Sequence, residues 1–159
     1  MLQRIQTVFL LIIAALMTLF LFFPVWIGVY PDGSSSHQIF ALFHYQYGPD
    51  GQEEMVEYLP YAISGILAGL AIVIALVEAF AYKNRMTQVK LGALNALILG
   101  GSLASAIWIA NQSMQVWEGI QGQYGIGVFF PVFALICNIL ANRFIRKDEK
   151  LVRSMERIR

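Results

Sequence analysis

The sequence predicts an all-α membrane protein: a four-transmembrane-helix bundle with a small extracytoplasmic loop module, read as β-stranded, and a cytoplasmic amphipathic C-terminal helix. Three observations predict it. Four separate runs are long and apolar enough to span a bilayer. Charged residues make up 13% of the chain, against roughly 25% in an ordinary soluble domain. All 11 basic residues fall on one side of the four runs, although the formal net charge is only +1.

A span needs about 20 apolar residues, because ~30 Å of hydrocarbon is crossed at 1.5 Å per helical residue. The first run, about residues 8–27, has no charge, and Thr18 is its one clearly polar side chain. It is longer than the core of a cleaved signal peptide and no A-x-A site follows it, so a retained helix is expected. The second run, about 59–82, carries Glu78 as its one charge. The third, about 91–110, holds Asn95, Ser102 and Ser105. The fourth, about 125–141, holds Pro131 and Asn138. A helix meets its own backbone hydrogen bonds, which is what hydrocarbon demands of an open-ended segment.

Orientation follows from the basic residues. Arg4 precedes the first run, and Lys83, Arg85 and Lys90 lie between the second and third. Arg143 and six more follow the fourth. The other two connections carry Asp32, Asp50, Glu53, Glu54, Glu57 and Glu118, with no Lys or Arg. The positive-inside rule then places both termini and the middle connection in the cytoplasm. Trp26, Tyr30, Tyr58, Tyr61, Trp117 and Tyr124 stand near the outer boundary and read as an aromatic belt.

The first outer connection, about 28–58, is the loop module. Pro31-Asp32-Gly33 and Gly48-Pro49-Asp50-Gly51 are turn signals. Between them, Gln38 to Tyr47 is rich in aromatic residues and reads as a strand, to which 25–30 and 54–58 could pair; a short interfacial helix is the alternative. Within the membrane, Gly65 and Gly69, and Gly92, Ala96 and Gly100, are spaced for close helix packing.

Polar side chains at membrane depth are costly. Glu78 lies five residues before Lys83, Asn95 five after Lys90, and Asn138 five before Arg143, so three spans place a polar group at one inner depth. Gln6 and Thr7 start the first span near that level. The plain expectation is a structural hydrogen-bond network, with Glu78 reaching toward Lys83 or Arg85. The sharper one is a proton- or ion-binding site centred on Glu78. Ser102 and Ser105 are expected to bond carbonyls of their own helix.

Residues 143–159 hold strong helix formers, with Phe144, Leu151, Met155 and Ile158 at helical spacing. The fourth span is therefore expected to continue as a basic amphipathic helix. Arg146, Lys147, Lys150, Arg153 and Arg157 form its candidate face for anionic lipid headgroups or a cytoplasmic protein.

Catalytic signatures are not found: there is no Walker loop, HExxH, GxSxG or dinucleotide fingerprint. His37 and His44 share the outer connection with Asp32, Glu53 and Glu54, but their spacing matches no ligand pattern. They are expected to be exposed, with no metal and no cofactor. Cys137 excludes an intrachain disulfide because it is the one cysteine. The expectation is a non-enzymatic scaffold or accessory subunit, with the bilayer, a membrane protein or a second copy as partner and no nucleic acid. The alternatives are a small oligomeric transporter or channel using the Glu78 layer, and an enzyme acting on lipid or a periplasmic substrate.

The start Met1-Leu2-Gln3-Arg4-Ile5-Gln6-Thr7-Val8 and the ending Asn142-Arg143-Phe144-Ile145-Arg146-Lys147-Asp148-Glu149-Lys150-Leu151-Val152-Arg153-Ser154 carry a resemblance. On them, the whole chain resembles a bacterial (Bacteroidota) four-span membrane protein family of unknown function, domain-of-unknown-function family 4293. The resemblance implies an inner-membrane location. It implies no activity and supplies no catalytic residue.

Overall fold

Pro24 cannot continue a helix without losing a hydrogen bond and clashing with the preceding turn. The first helix, α1, accordingly spans Leu2–Phe22, and the chain turns at Pro24 into a strand, β1, Trp26–Val29. The helix expected to reach residue 27 therefore stops five residues earlier. The structure, a computed structural model, describes residues 2–48, 53–81, 85–117 and 119–156; side chains are described within 5–48, 56–81, 85–117 and 119–149.

After β1 come β2 (Ser36–Ile39), β3 (His44–Tyr47) and β4 (Glu53–Glu57), then α2 (Ala62–Phe80) and α3 (Arg85–Val116). A fifth strand, β5 (Gln121–Tyr124), and a 3₁₀ turn, Ile126–Val128, lead into α4 (Phe129–Glu156). Pro131 is the third residue of α4. A first-turn amide has no helical acceptor to lose, so proline is tolerated there. All four helices are long and apolar enough to cross a membrane, over Ile5–Phe22, Ala62–Phe80, Arg85–Val116 and Ile126–Glu149. They pack in a ring, α1 against α2 and α4, and α3 against the same two.

The all-α label is corrected to mostly helical with a sheet, while the β reading of the loop module holds: strands overlapping 25–30, 38–47 and 54–58 do pair, in a five-stranded antiparallel sheet ordered β4-β3-β2-β1-β5. The segment expected as one strand over 38–47 is a hairpin, closed by Phe40 N–H donating to the Phe43 carbonyl at 2.8 Å. In addition, the connection between α3 and α4 contributes β5, which pairs with β1 in the register Trp26–Tyr124 and Gly28–Gly122. Two glycines meet there because the Trp26 indole lies across them, and a Cβ on either would run into its ring.

The sheet is fastened to one end of the helices. Gly65 N–H donates to the Ala41 carbonyl at 2.7 Å, and the Ser64 hydroxyl donates to the same oxygen at 2.9 Å. Ser102 donates in turn to the Ser64 carbonyl at 2.9 Å, joining α3 to α2. This corrects the expectation that Ser102 bonds within its own helix; Ser105 does bond within it, to the Ser102 carbonyl. At the other end, Arg85 binds the Asp148 carboxylate at 3.1 Å and its carbonyl at 3.0 Å, tying the start of α3 to the far part of α4. α4 runs unbroken to Glu156.

Candidate functional site in the helical core

Small side chains in α2 leave room at the centre of the helix ring. Ala68, Ala71 and Ala75 recur there at spacings of three and four, and Glu78 follows on the same face. On α3 the buried face reads Gln88, Gly92, Asn95, Leu99 and Ser102. On α4 it reads Ala134, Asn138, Ala141 and Ile145. Glu78, Asn95 and Asn138 are each 0% exposed.

The side chains of Glu78, Asn95 and Asn138 do not bond one another; the bonds around them run to backbone carbonyls and to Gln88. Asn138 donates from Nδ2 to the Gly92 carbonyl at 2.9 Å. Gln88 donates from Nε2 to the Glu78 carbonyl at 2.9 Å, and Gln6 from α1 reaches Gln88 Oε1 at 3.5 Å, the long limit of a hydrogen bond. Asn142, one turn beyond Asn138, donates to the Asn138 carbonyl at 3.2 Å. Its amide packs where a Cβ on Gly92 would stand, so glycine at 92 lets the two helices meet. Both Glu78 carboxyl oxygens, both polar atoms of Asn95, and Oδ1 of Asn138 and Asn142 have no hydrogen-bond partner among the described residues. A buried polar atom without a partner costs about 1–3 kcal/mol, so such a concentration calls for a reason.

The expected reach of Glu78 to Arg85 is not observed, because Arg85 is held by Asp148. Lys83, the other expected partner, lies outside the described residues. Gln88 and Asn142 join the layer although neither was singled out from sequence. Each sits just past a boundary drawn on hydropathy, and each stands at helical spacing from a predicted member, seven before Asn95 and four after Asn138.

A second buried polar cluster lies under the sheet. Alternation along β2 and β3 turns His37 and His44 inward, to 4% and 3% exposure, which corrects the expectation of exposed loop histidines. His37 Nδ1 and His44 Nε2 are 3.1 Å apart. One of these nitrogens carries the hydrogen and the other accepts it. Trp117 stacks on both rings, with centroids at 4.2 Å and 4.9 Å, and Tyr61 tilts against His44 at 5.1 Å. Trp26 packs on Trp117 at 5.6 Å and is itself fully buried. The expected belt is corrected for these residues: Trp26 and Tyr61 are buried and Trp117 packs beneath the sheet, while Tyr58 and Tyr124 are exposed.

Burial pushes both imidazoles below their ordinary value, and for His44 the charge of His37 adds to it, to about 4. The Glu57 carboxylate, 3.8 Å from His44 Nδ1, is too distant for a hydrogen bond. Among the described residues, no group of three His, Cys, Asp or Glu side chains is arranged to hold a metal.

At the far end, Arg146 and Lys147 are exposed on α4. Arg157 lies outside the described residues, and so do the side chains of Lys150 and Arg153. Phe144, expected on an apolar stripe, stacks on Phe9 of α1 at 5.8 Å. No curated protein matches the chain. The family model described as Domain of unknown function (DUF4293) matches residues 2–158, and the chain belongs to that family.

Proposed function

We propose that this is a non-enzymatic integral membrane protein of the bacterial inner membrane, a scaffold or accessory subunit with both termini in the cytoplasm. One observation carries the reading: the distribution of exposure along the helices. Glu78, Asn95, Ser102 and Asn138 are sealed inside, whereas Leu11, Ile66, Val73, Leu97, Phe133 and Ile139 are open on the outside. A surface of that kind is a large liability in water and the normal condition in lipid. The sealed core supports action by contact rather than turnover, with the sheet on one side of the bilayer and the basic end of α4 on the other. Its partners are the bilayer and a membrane protein or second copy. At the C-terminal end, anionic headgroups or a cytoplasmic protein meet Arg146, Lys147, Lys150, Arg153 and Arg157.

Crosslinking in native membranes, followed by purification in mild detergent, tests this reading. A specific copurifying protein is expected. A chain that stays solitary in its native membrane would remove the scaffold role.

A second reading is favoured by the oxygens of Glu78, Asn95, Asn138 and Asn142 that lack partners. A proton on the carboxyl or a small cation among these oxygens would complete the set, as in an oligomeric transporter. Proton and cation flux in liposomes, compared with Glu78→Gln, tests it. Flux that vanishes in the variant supports transport; no flux in the wild type rejects it.

A further inference from the structure

A groove of about 610 Å³ opens between α3 and α4. Its floor is Ala93 and Ala96 of α3 with Ile139 of α4, its rim is Arg143, Arg146 and Lys147, and Asn142 lines it between the two. The sequence creates it locally. Two alanines, three residues apart, lower one wall, and positions 139, 143, 146 and 147 share one face of α4. The floor and rim are ordered along the helices. Asn138 bonds Gly92, so these residues are level. From there α4 runs toward the basic end and α3 away from it. Ala96 is therefore the deepest position, Ala93 and Ile139 lie near the level of Gly92, and the three cations are stacked beyond them over roughly one helical turn.

We propose that this groove binds one anionic phospholipid per chain. Its phosphate would sit among Arg143, Arg146 and Lys147, with an acyl chain along Ala93, Ala96 and Ile139. Three observations choose this occupant. First, the groove opens on the same apolar exterior as Leu94, Leu97, Ile136 and Ile139, so what bathes that exterior also fills it. Second, no ion pair ties the three cations to another described residue, whereas nearby Arg85 is neutralised by Asp148. Third, a cationic rim above an apolar floor matches the charge order of a phospholipid lying in one leaflet. Basic pockets between membrane helices on the cytoplasmic side recognise such headgroups. Three cations exceed the charge of one phosphate, so a two-phosphate headgroup is held more tightly than a one-phosphate headgroup. Arg143 thereby acquires a role apart from the residues of the tail.

The proposal rests on the membrane reading, and the test separates the two. Purified protein is titrated with cardiolipin, phosphatidylglycerol, phosphatidylcholine or inorganic phosphate, and bound lipid is counted by native mass spectrometry. One cardiolipin per chain is expected, with weaker phosphatidylglycerol and no retained phosphatidylcholine. Arg143→Gln/Arg146→Gln/Lys147→Gln should weaken retention at least tenfold. Ala93→Phe, which fills the floor and spares the cations, should do the same. Should the triple variant not fold, Ala93→Phe and the single Arg146→Gln carry the test. Lys90→Gln, which removes an exposed cation of α3 outside the groove, should leave retention unchanged. A loss from that control equal to the loss from Arg146→Gln would mean diffuse adsorption by charge and would overturn the groove site. Displacement by millimolar inorganic phosphate would mean an anion site rather than a lipid site and would also overturn it. A chain monodisperse without detergent would instead sink the membrane reading.

Discussion

The two buried polar clusters lie toward opposite ends of the helices and are built on different terms. Under the sheet, His37 and His44 are hydrogen-bond partners of each other and are closed over by aromatic rings. In the helical core, Asn138 and Gln88 spend their amide hydrogens on backbone carbonyls, and the oxygens of Glu78, Asn95 and Asn142 are left without described partners. Aromatic stacking fills the space around the histidine pair, whose mutual bond uses one nitrogen of each ring. Straight helices cannot bring short amides face to face at every level. The sheet end leaves two nitrogens, His44 Nδ1 and Trp26 Nε1, without a described partner, whereas the core leaves mainly oxygens: acceptors gathered in one layer.

The largest expected effect separates charge from shape in the core. Glu78→Lys places an ammonium where no carboxylate partner is described, and an uncompensated buried charge costs on the order of 3–5 kcal/mol. Glu78→Gln keeps the shape and polar atoms and should shift stability by no more than about 1 kcal/mol. Unfolding in mixed micelles measures both; equal stability of Lys and wild type would mean that the layer is not sealed.

Acid should act on the sheet end first. His44 titrates near 4 when folded and near 6.5 when unfolded. Above about pH 6.5 both states are neutral and the sheet keeps its full stability. As the pH falls toward 4, the unfolded chain takes up a proton that the folded chain refuses. Stability should drop by up to about 3 kcal/mol across that window and level off below it. Tryptophan fluorescence under the sheet, followed from pH 7 to 4, reports the change. His44→Gln should flatten the profile, and an unchanged profile in that variant would assign the effect elsewhere.

A smaller effect is expected at the Gly28–Gly122 pair, where Trp26 occupies the space a side chain would need. Gly28→Ala should cost about 1–3 kcal/mol by overpacking and loosen the pairing of β1 with β5. Hydrogen exchange at 26–29 and 121–124 reads this directly. Smallest is Arg85→Gln, which removes a half-buried ion pair at the other end. About 1 kcal/mol is expected, with fraying confined to the start of α3 and the far part of α4.

The four helices were legible because composition alone separates lipid-length apolar runs from their polar connections. The sheet was legible only in part. β5 reads Gln-Gly-Gln-Tyr, which has no β-branched residue to announce a strand; it exists because β1 offers it an edge. The hairpin at Phe40–Phe43 carries no Gly or Pro to mark it. The burial of His37 and His44 depends on strand register and on Trp117, which is 73 residues beyond His44, so no local pattern reveals it. In the core, Glu78, Asn95 and Asn138 stood out as polar letters in apolar runs. Gln88 and Asn142 did not, because each lies where hydropathy already favours an aqueous boundary.

In the proposed membrane setting, lipid bathes the outer faces of the four helices while their shared interior stays closed. Spin labels at Leu97, which is 75% exposed, and at Leu99, which is 0% exposed, test it in a Cys137→Ala background reconstituted in bilayers. Oxygen dissolved in the hydrocarbon should relax the label at 97 strongly and the label at 99 weakly. A water-soluble nickel chelate should reach neither. Strong relaxation of the label at 97 by the chelate would contradict that setting.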